Sequence, residues 1–229
     1  MSKPQVDFFS AEAAQKYDER NVKLSSISGC MHFLAGLVLK ELPKNARLLC
    51  VGAGTGAEII FLAKVFPHWR FVALEPSLSM LNVCKARTEA AGILDRCDFV
   101  HGYVQDLPPQ AEYDAVLSFL VAHFVKREDR SGFLSQMVAH LRVGGIFITT
   151  EISFDLNSTE FPSMLQKWGS VQEMMGATPE SLANLPNQIK DMLTVISPAE
   201  TESLIRQAGI EIPIRFFQAF MICGWYGKK

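Results

Sequence analysis

Three glycines alternate at Gly52, Gly54 and Gly56, where the apolar run Leu48–Val51 passes into residues of helical composition. A strand that enters a helix through residues without a Cβ can turn tightly and let a ligand lie against its main chain. The helix N-terminus behind such a bend offers unpaired N–H groups and partial positive charge, which suits an anionic or acceptor-rich group. Gly52, Ala53, Gly54 and Gly56 are therefore candidate binding residues. Glu75 ends the next apolar run, "VALEPS", about twenty residues further on, the spacing at which a carboxylate meets both hydroxyls of a ribose. The pair predicts an adenosine-like ligand. Gly52-x-Gly54-x-x-Ala57 also satisfies the dinucleotide pattern, so the glycines alone leave a nicotinamide-type cofactor open.

Two titratable residues stand at the ends of later apolar runs, where open α/β sheets present their ligands: His123 after "SFLVA" and Glu151 after "IFITT". Either could remove a proton from an acceptor as a general base; the alternatives are a packed, satisfied histidine and a salt-bridged carboxylate. His101 is expected to support a loop beside the adenine, and His32, His68 and His140 read as helix or loop residues. None has metal-ligand spacing with a second histidine or carboxylate, and no metal is expected.

The elements that must position these groups follow from the hydrophobic pattern. Strands are expected over 46–52, 70–75, 97–102, 113–120 and 146–152, with helices over 57–66, 78–92 and 128–145, the last closed by Gly144 and Gly145. This rhythm predicts an α/β fold with a Rossmann-like, mostly parallel seven-stranded sheet. Two further strands, 211–217 and 219–227, should pair as a C-terminal antiparallel hairpin after a helix that starts at Ser197-Pro198. Helices are also expected over Ala11–Arg20 and about Ser28–Leu42, stopped by Pro43. The domain reading is an N-terminal helical cap over 1–45, a core over 46–152 and 197–229, and a helical insertion over 153–196 that serves as a substrate lid. Tyr17, Met31, Phe33, Met164, Trp168, Met174 and Met175 on the cap and insertion suggest an apolar or aromatic acceptor, with ordinary helix packing as the alternative for each. Phe119 is one aromatic face that could lie near a cationic centre.

The 22 basic and 24 acidic residues nearly balance and form no Lys/Arg block, so a small-molecule partner is favoured over nucleic acid. No apolar stretch reaches membrane-span length without a charge, Pro or Gly, and no membrane partner is expected. Cys30, Cys50, Cys84, Cys97 and Cys223 are scattered and odd in number, in keeping with a reducing, cytoplasmic setting. A homodimer is compatible with this composition.

The glycine motif, "EPSLSML", "GYVQDLP", "LRVGGIFITTE" and the C-terminal hairpin together resemble the class I S-adenosylmethionine-dependent methyltransferases, over about residues 46–226. The resemblance implies S-adenosyl-L-methionine as cofactor and methyl transfer to a small-molecule acceptor. It places the Gly52–Gly56 loop at the methionine end, Glu75 on the ribose, and Pro76, Tyr103 and Val104 around the adenine. Ser118 would sit at the mouth of the fourth strand beside the methionine. This chain departs from the family at Cys50, where many members carry an acid, and at Tyr103, where many carry Asp. Asp106 could take an adenine contact or stabilise a turn. "TEISFD", "SPAETESLIRQAGI" and "RFFQAFMICGWYGKK" look like the carboxy-S-adenosylmethionine synthases, which hold the extra carboxylate with an arginine. No arginine lies between Lys190 and Ser197, so the ordinary cofactor is expected, with Lys190 the substitute cation under the synthase alternative. A nicotinamide-dependent oxidoreductase and a non-catalytic S-adenosylmethionine binder are the other readings.

Overall fold

The computed structural model describes residues 14, 17–19, 21–108 and 110–229. Of the helix expected over Ala11–Arg20, only Ala14 and Tyr17–Glu19 fall within the described residues; they are helical.

Seven strands form one sheet in the order β3-β2-β1-β4-β5-β7-β6. These are β1 (Arg47–Val51), β2 (Arg70–Glu75), β3 (Cys97–His101), β4 (Tyr113–Phe119), β5 (Leu141–Ile152), β6 (Ile214–Ala219) and β7 (Ile222–Lys228). β1 to β5 pair in parallel, and β7 enters antiparallel between β5 and β6. The central strands read as unbroken apolar runs because both faces are covered: Leu48, Leu49, Cys50, Ala115, Val116 and Leu117 are all buried. One face packs against α1 (Ser25–Leu39), α2 (Ala57–Val65) and α3 (Leu78–Ala90) through Ala35, Leu39, Ile59, Leu62 and Leu81. The other meets α4 (Arg127–Ala139) and α8 (Pro198–Gln207) through Leu134, Met137 and Ile205.

Local signals set the helix ends. The Ser77 hydroxyl accepts the Met80 N–H at 3.3 Å, and the Ser197 hydroxyl accepts that of Glu200 at 3.2 Å with Pro198 in the first turn. The expected helix over 128–145 is shorter: it stops at Ala139, and Leu141–Gly145 are already the start of β5. Leu141 pairs with Tyr113 and Ile146 with Ala115, so the two glycines sit in a strand irregularity rather than a helix cap. The hairpin strands lie a few residues later than the apolar pattern placed them, at Ile214–Ala219 and Ile222–Lys228.

Residues 153–196 carry α5 (Phe161–Met174), α6 (Pro179–Ala183) and α7 (Leu185–Asp191). Trp168, Val171, Leu185, Ile189 and Val195 pack with Met31 of α1 and with Phe217, Met221 and Ile222 of the hairpin, over one end of the sheet. The helical stretch Tyr17–Leu39 is, by length and composition, apolar enough to cross a membrane, although it carries charged residues and glycines. Met31, Ala35, Gly36 and Leu39 on it are buried.

Candidate active site

The glycine turn at the end of β1 is locked to β2. The N–H groups of Gly52 and Ala53 donate to the Leu74 carbonyl at 2.8 and 3.1 Å, and Gly56 N–H donates to the Ala53 carbonyl at 2.8 Å. Gly52 has φ +70°, and a Cβ there would come within 2.4 Å of Val121 Cγ2. Gly56 has φ +77° and caps α2; a Cβ would meet Cys84 Sγ at 2.6 Å. The two glycines thus do different work: Gly52 keeps a cavity open, while Gly56 lets α2 and α3 approach.

Glu75 holds the bend as well as facing the cavity. Its Oε2 accepts the Gly54 N–H and its Oε1 the Ser77 N–H, both at 2.9 Å, so one carboxylate joins the β1–α2 and β2–α3 turns.

Two adjoining cavities share Tyr17, Gly52, Gly54, Phe119 and Leu120. The first, about 190 Å³, runs along Glu75, Pro76, Ser77, Met80, Tyr103 and Val104 to Phe124 and Phe133. The second, about 150 Å³, lies under the N-terminal helices and is walled by Leu24, Ile27, Met31 and Ile222, with Asp18, His32 and Glu58 among its polar members. Leu120 turns the chain here with φ +58°, its N–H donating to the Thr150 carbonyl at 2.7 Å. A left-handed leucine where two cavities meet is a strained feature that nothing in "SFLVAH" signals.

Burial sets the protonation of this region. It holds the His32 imidazole down at about 4, beside the edge of Phe119 at 5.5 Å. It pushes the Glu58 carboxyl up to about 7, aided by the nearby Glu75. The Tyr17 phenol is raised by burial and then by Glu58, Asp18 and Glu75. Arg87 is the cation that steadies the outer side: it pairs with Asp18 at 2.9 Å and donates to the Thr55 hydroxyl at 2.7 Å.

The structure brings Gly52, Ala53, Gly54, Glu75, Pro76, Tyr103 and Val104 to these cavities. Gly56 lines neither and acts through packing. Ser118 is also displaced from the expected place: it is 1% exposed, faces the α4 side of the sheet with Val116, and lines neither cavity. Asp106 stabilises a turn, its Oδ2 accepting the Tyr103 N–H at 2.8 Å.

The two expected bases lie away from both cavities. His123 is 3% exposed, burial and Arg130 hold its imidazole down at about 3, and its Nδ1 accepts the Ile152 N–H at 3.3 Å. Glu151 is inaccessible and paired with the equally inaccessible Arg130 at 3.0 Å. Neither lines either of the two cavities; both pack behind them. Of the expected lid side chains, Tyr17 and Met31 reach the cavities, Trp168 packs in the insertion core, and Phe33 and Met174 are exposed. Glu58 and His32 are the residues sequence reasoning passed over. For Glu58 a signal was present, an acid in the first turn after a glycine bend, where an exposed helix-start charge is the ordinary outcome. Among the described residues no group of three His, Cys, Asp or Glu could hold a metal ion.

A sequence profile described as a methyltransferase domain matches residues 48–145. Fatty-acid O-methyltransferase of Mycolicibacterium smegmatis is 36% identical over 109 residues, covering 47% of this chain and 38% of that protein. Carboxy-S-adenosyl-L-methionine synthase of Campylobacter hominis is 22% identical over 197 residues, 86% of this chain and 83% of that protein. Human N-acetylserotonin methyltransferase, solved in complex with S-adenosylmethionine, aligns with a TM-score of 0.65 at 15% identity over 96% of this chain and 56% of its own. The chain thus spans well under two thirds of the first and third of these proteins, and the structural likeness concerns the fold.

Proposed function

We propose that the chain is a class I S-adenosyl-L-methionine-dependent methyltransferase and that it transfers the donor's methyl group to a small, largely apolar acceptor. The observation that carries the reading is the pair of cavities meeting at the glycine bend, one ending in Glu75 and the adenine-side loop, the other walled by aliphatic side chains under the N-terminal helices. The residues fit the cofactor. Gly52 and Gly54 leave the main chain bare, the Glu75 carboxylate lines the cavity at the end of β2, and Pro76, Tyr103 and Val104 line it beside that acid. When bound, the cofactor supplies a methyl group on a sulfonium sulfur, ready for in-line displacement.

The protein's part is to position the acceptor and exclude water. Leu24, Ile27, Met31, Phe119 and Ile222 form the apolar wall, and the neutral His32 imidazole stands among them. His32 therefore replaces His123 as the imidazole nearest the acceptor cavity. The O-methyltransferase named among the relatives supports an oxygen acceptor.

The carboxy-S-adenosylmethionine synthase reading is favoured by one observation, the near full-length alignment with that enzyme. Against it, Lys190 lies on α7 and lines neither cavity. The antiparallel β7 between β5 and β6 argues against a nicotinamide-dependent oxidoreductase. Calorimetric titration with S-adenosylhomocysteine and with NADH tests the proposal. Binding of the first alone is expected; binding of NADH alone overturns it. Mass spectrometry of nucleoside released from purified protein then reads whether a carboxylated cofactor is held.

A further inference from the structure

Glu58 carries a question that the methyl-transfer reading leaves open. It is 7% exposed on the first turn of α2, lines the second cavity beside Gly52–Thr55, and so sits at the amino-acid end of the proposed donor site. The groups facing it come from four elements: Tyr17 and Asp18 from the N-terminal helix, Cys50 from β1, Glu75 from β2, and Cys84 and Arg87 from α3. Burial raises Tyr17, Cys50 and Cys84, so all three are neutral at pH 7. Glu75 and Asp18 are acids. Arg87, the one cation of the set, is engaged by Asp18 at 2.9 Å and by Thr55 at 2.7 and 3.0 Å. A backbone hydrogen bond and the attraction of Arg87 favour the Glu58 carboxylate, but burial outweighs them, so its charge is only partly compensated in the free site.

We propose that Glu58 is the counter-charge for the ammonium group at the amino-acid end of the donor, so that the site gives up a proton when the donor loads. The inference rests on the cofactor reading above. The balance is simple: the Glu58 carboxylic acid loses its proton to solvent, the ligand keeps its ammonium, and an ion pair forms in the cavity. Cys50 gives the assignment its logic, since the strand position at which the family resemblance leads one to expect an acid carries here a buried thiol, on which Glu58 exerts the largest effect after burial itself. The negative charge has moved from β1 to the first turn of α2.

The test is calorimetry in two buffers of different ionisation enthalpy, with S-adenosylhomocysteine and with 5′-methylthioadenosine, which keeps the nucleoside and sulfur but lacks the amino acid. With Glu58 near 7 in the free protein, the wild type should release about 0.9 proton at pH 6 and about 0.5 at pH 7 with the first ligand and none with the second. Glu58→Gln should abolish the release and weaken S-adenosylhomocysteine by about 10- to 100-fold, leaving 5′-methylthioadenosine unchanged. Binding without proton release, full affinity in Glu58→Gln, or equal loss of both ligands would overturn the assignment while leaving the cofactor reading standing. A wild type that binds neither ligand would remove the cofactor reading and this inference with it.

Discussion

Arg130→Met would remove the cation at the centre of the polar hub behind the site. Arg130 and Glu151 are both inaccessible to solvent and 3.0 Å apart, and the same guanidinium donates to the Val125 carbonyl at 3.2 Å and the Thr194 carbonyl at 2.7 Å. One side chain therefore joins β5, the loop that rims the first cavity, and the end of the insertion. The substitution keeps most of the volume and strands the Glu151 carboxyl, which burial pushes up to about 7 despite its partner. Breaking a buried pair from one side costs about 3–5 kcal/mol, whereas replacing both partners by apolar groups of similar size is often close to neutral. With an m-value of about 2–3 kcal/mol/M, the urea midpoint of Arg130→Met should fall by about 1–2.5 M. Arg130→Met/Glu151→Met should recover most of this, because Arg130 Nε and Glu151 Oε1 have no hydrogen-bond partner among the described residues and their removal costs little. It should stay about 1–2 kcal/mol short, since two carbonyls lose a charged donor. The double-mutant cycle should give a coupling of at least about 2 kcal/mol. Additive losses, or an unmoved midpoint in Arg130→Met, would refute the argument that charge rather than packing holds the hub.

Other outcomes can be checked on the same protein. Glu75→Ala should weaken S-adenosylhomocysteine by more than about 100-fold, since it frees the Gly54 and Ser77 N–H groups along with the ribose acceptor; Glu75→Gln, with one acceptor oxygen for two donors, should fall between, and calorimetry that ranks Gln with the wild type would show the clamp is unimportant. Gly52→Ala should lose about 1–2 kcal/mol from its left-handed backbone alone and at least about 10-fold in cofactor affinity, as its methyl group meets Val121 at 2.4 Å; unchanged binding would mean that Val121 moves freely. His123, held down at about 3, stays neutral in the native state while the unfolded imidazole protonates near 6.5, so its contribution is complete above pH 6.5 and is lost as pH falls toward 3. Relative to His123→Asn, wild-type stability in urea should therefore rise by about 2 kcal/mol from pH 5 to pH 6.5, and a flat difference would exclude a buried neutral ring.

The parts of the site built from backbone were legible in the chain, because backbone needs have few solutions. Only glycine suits the φ of +70° at residue 52 with Val121 so close, and only an acceptor at the end of β2 can tie two neighbouring turns together, so Gly52 and Glu75 announce themselves by type and spacing. The sheet is legible for a related reason, since strands covered on both faces leave unbroken apolar runs. The β5 boundary was not, because Gly144 and Gly145 close a helix as readily as they relax a strand irregularity, and only the Leu141–Tyr113 pairing decides between the two.

The direction of side chains at strand ends was not legible in the chain, because the carboxyl edge of the sheet faces two ways. Phe119 and Leu120 reach the cavities, while Ser118 and Glu151 point to the α4 side. One residue of register separates a wall of the site from its scaffold, and apolar runs that are buried on both faces erase the alternation that would reveal which is which. His123 and Glu151 are polar where their neighbours are apolar, and that contrast is equally the mark of a catalytic group and of a buried hub. The hub exists because the insertion returns to the core here. Thr194 donates its N–H to the His123 carbonyl at 2.7 Å and offers its own carbonyl to Arg130. An excursion of some forty residues must be pinned at its return point, and a guanidinium with five donors can satisfy several carbonyls at once where water is excluded. The polar residues nearest the strand ends thus anchor the return of the insertion, while the titratable Glu58 and His32 that line the second cavity stand on helices, with partners on other elements.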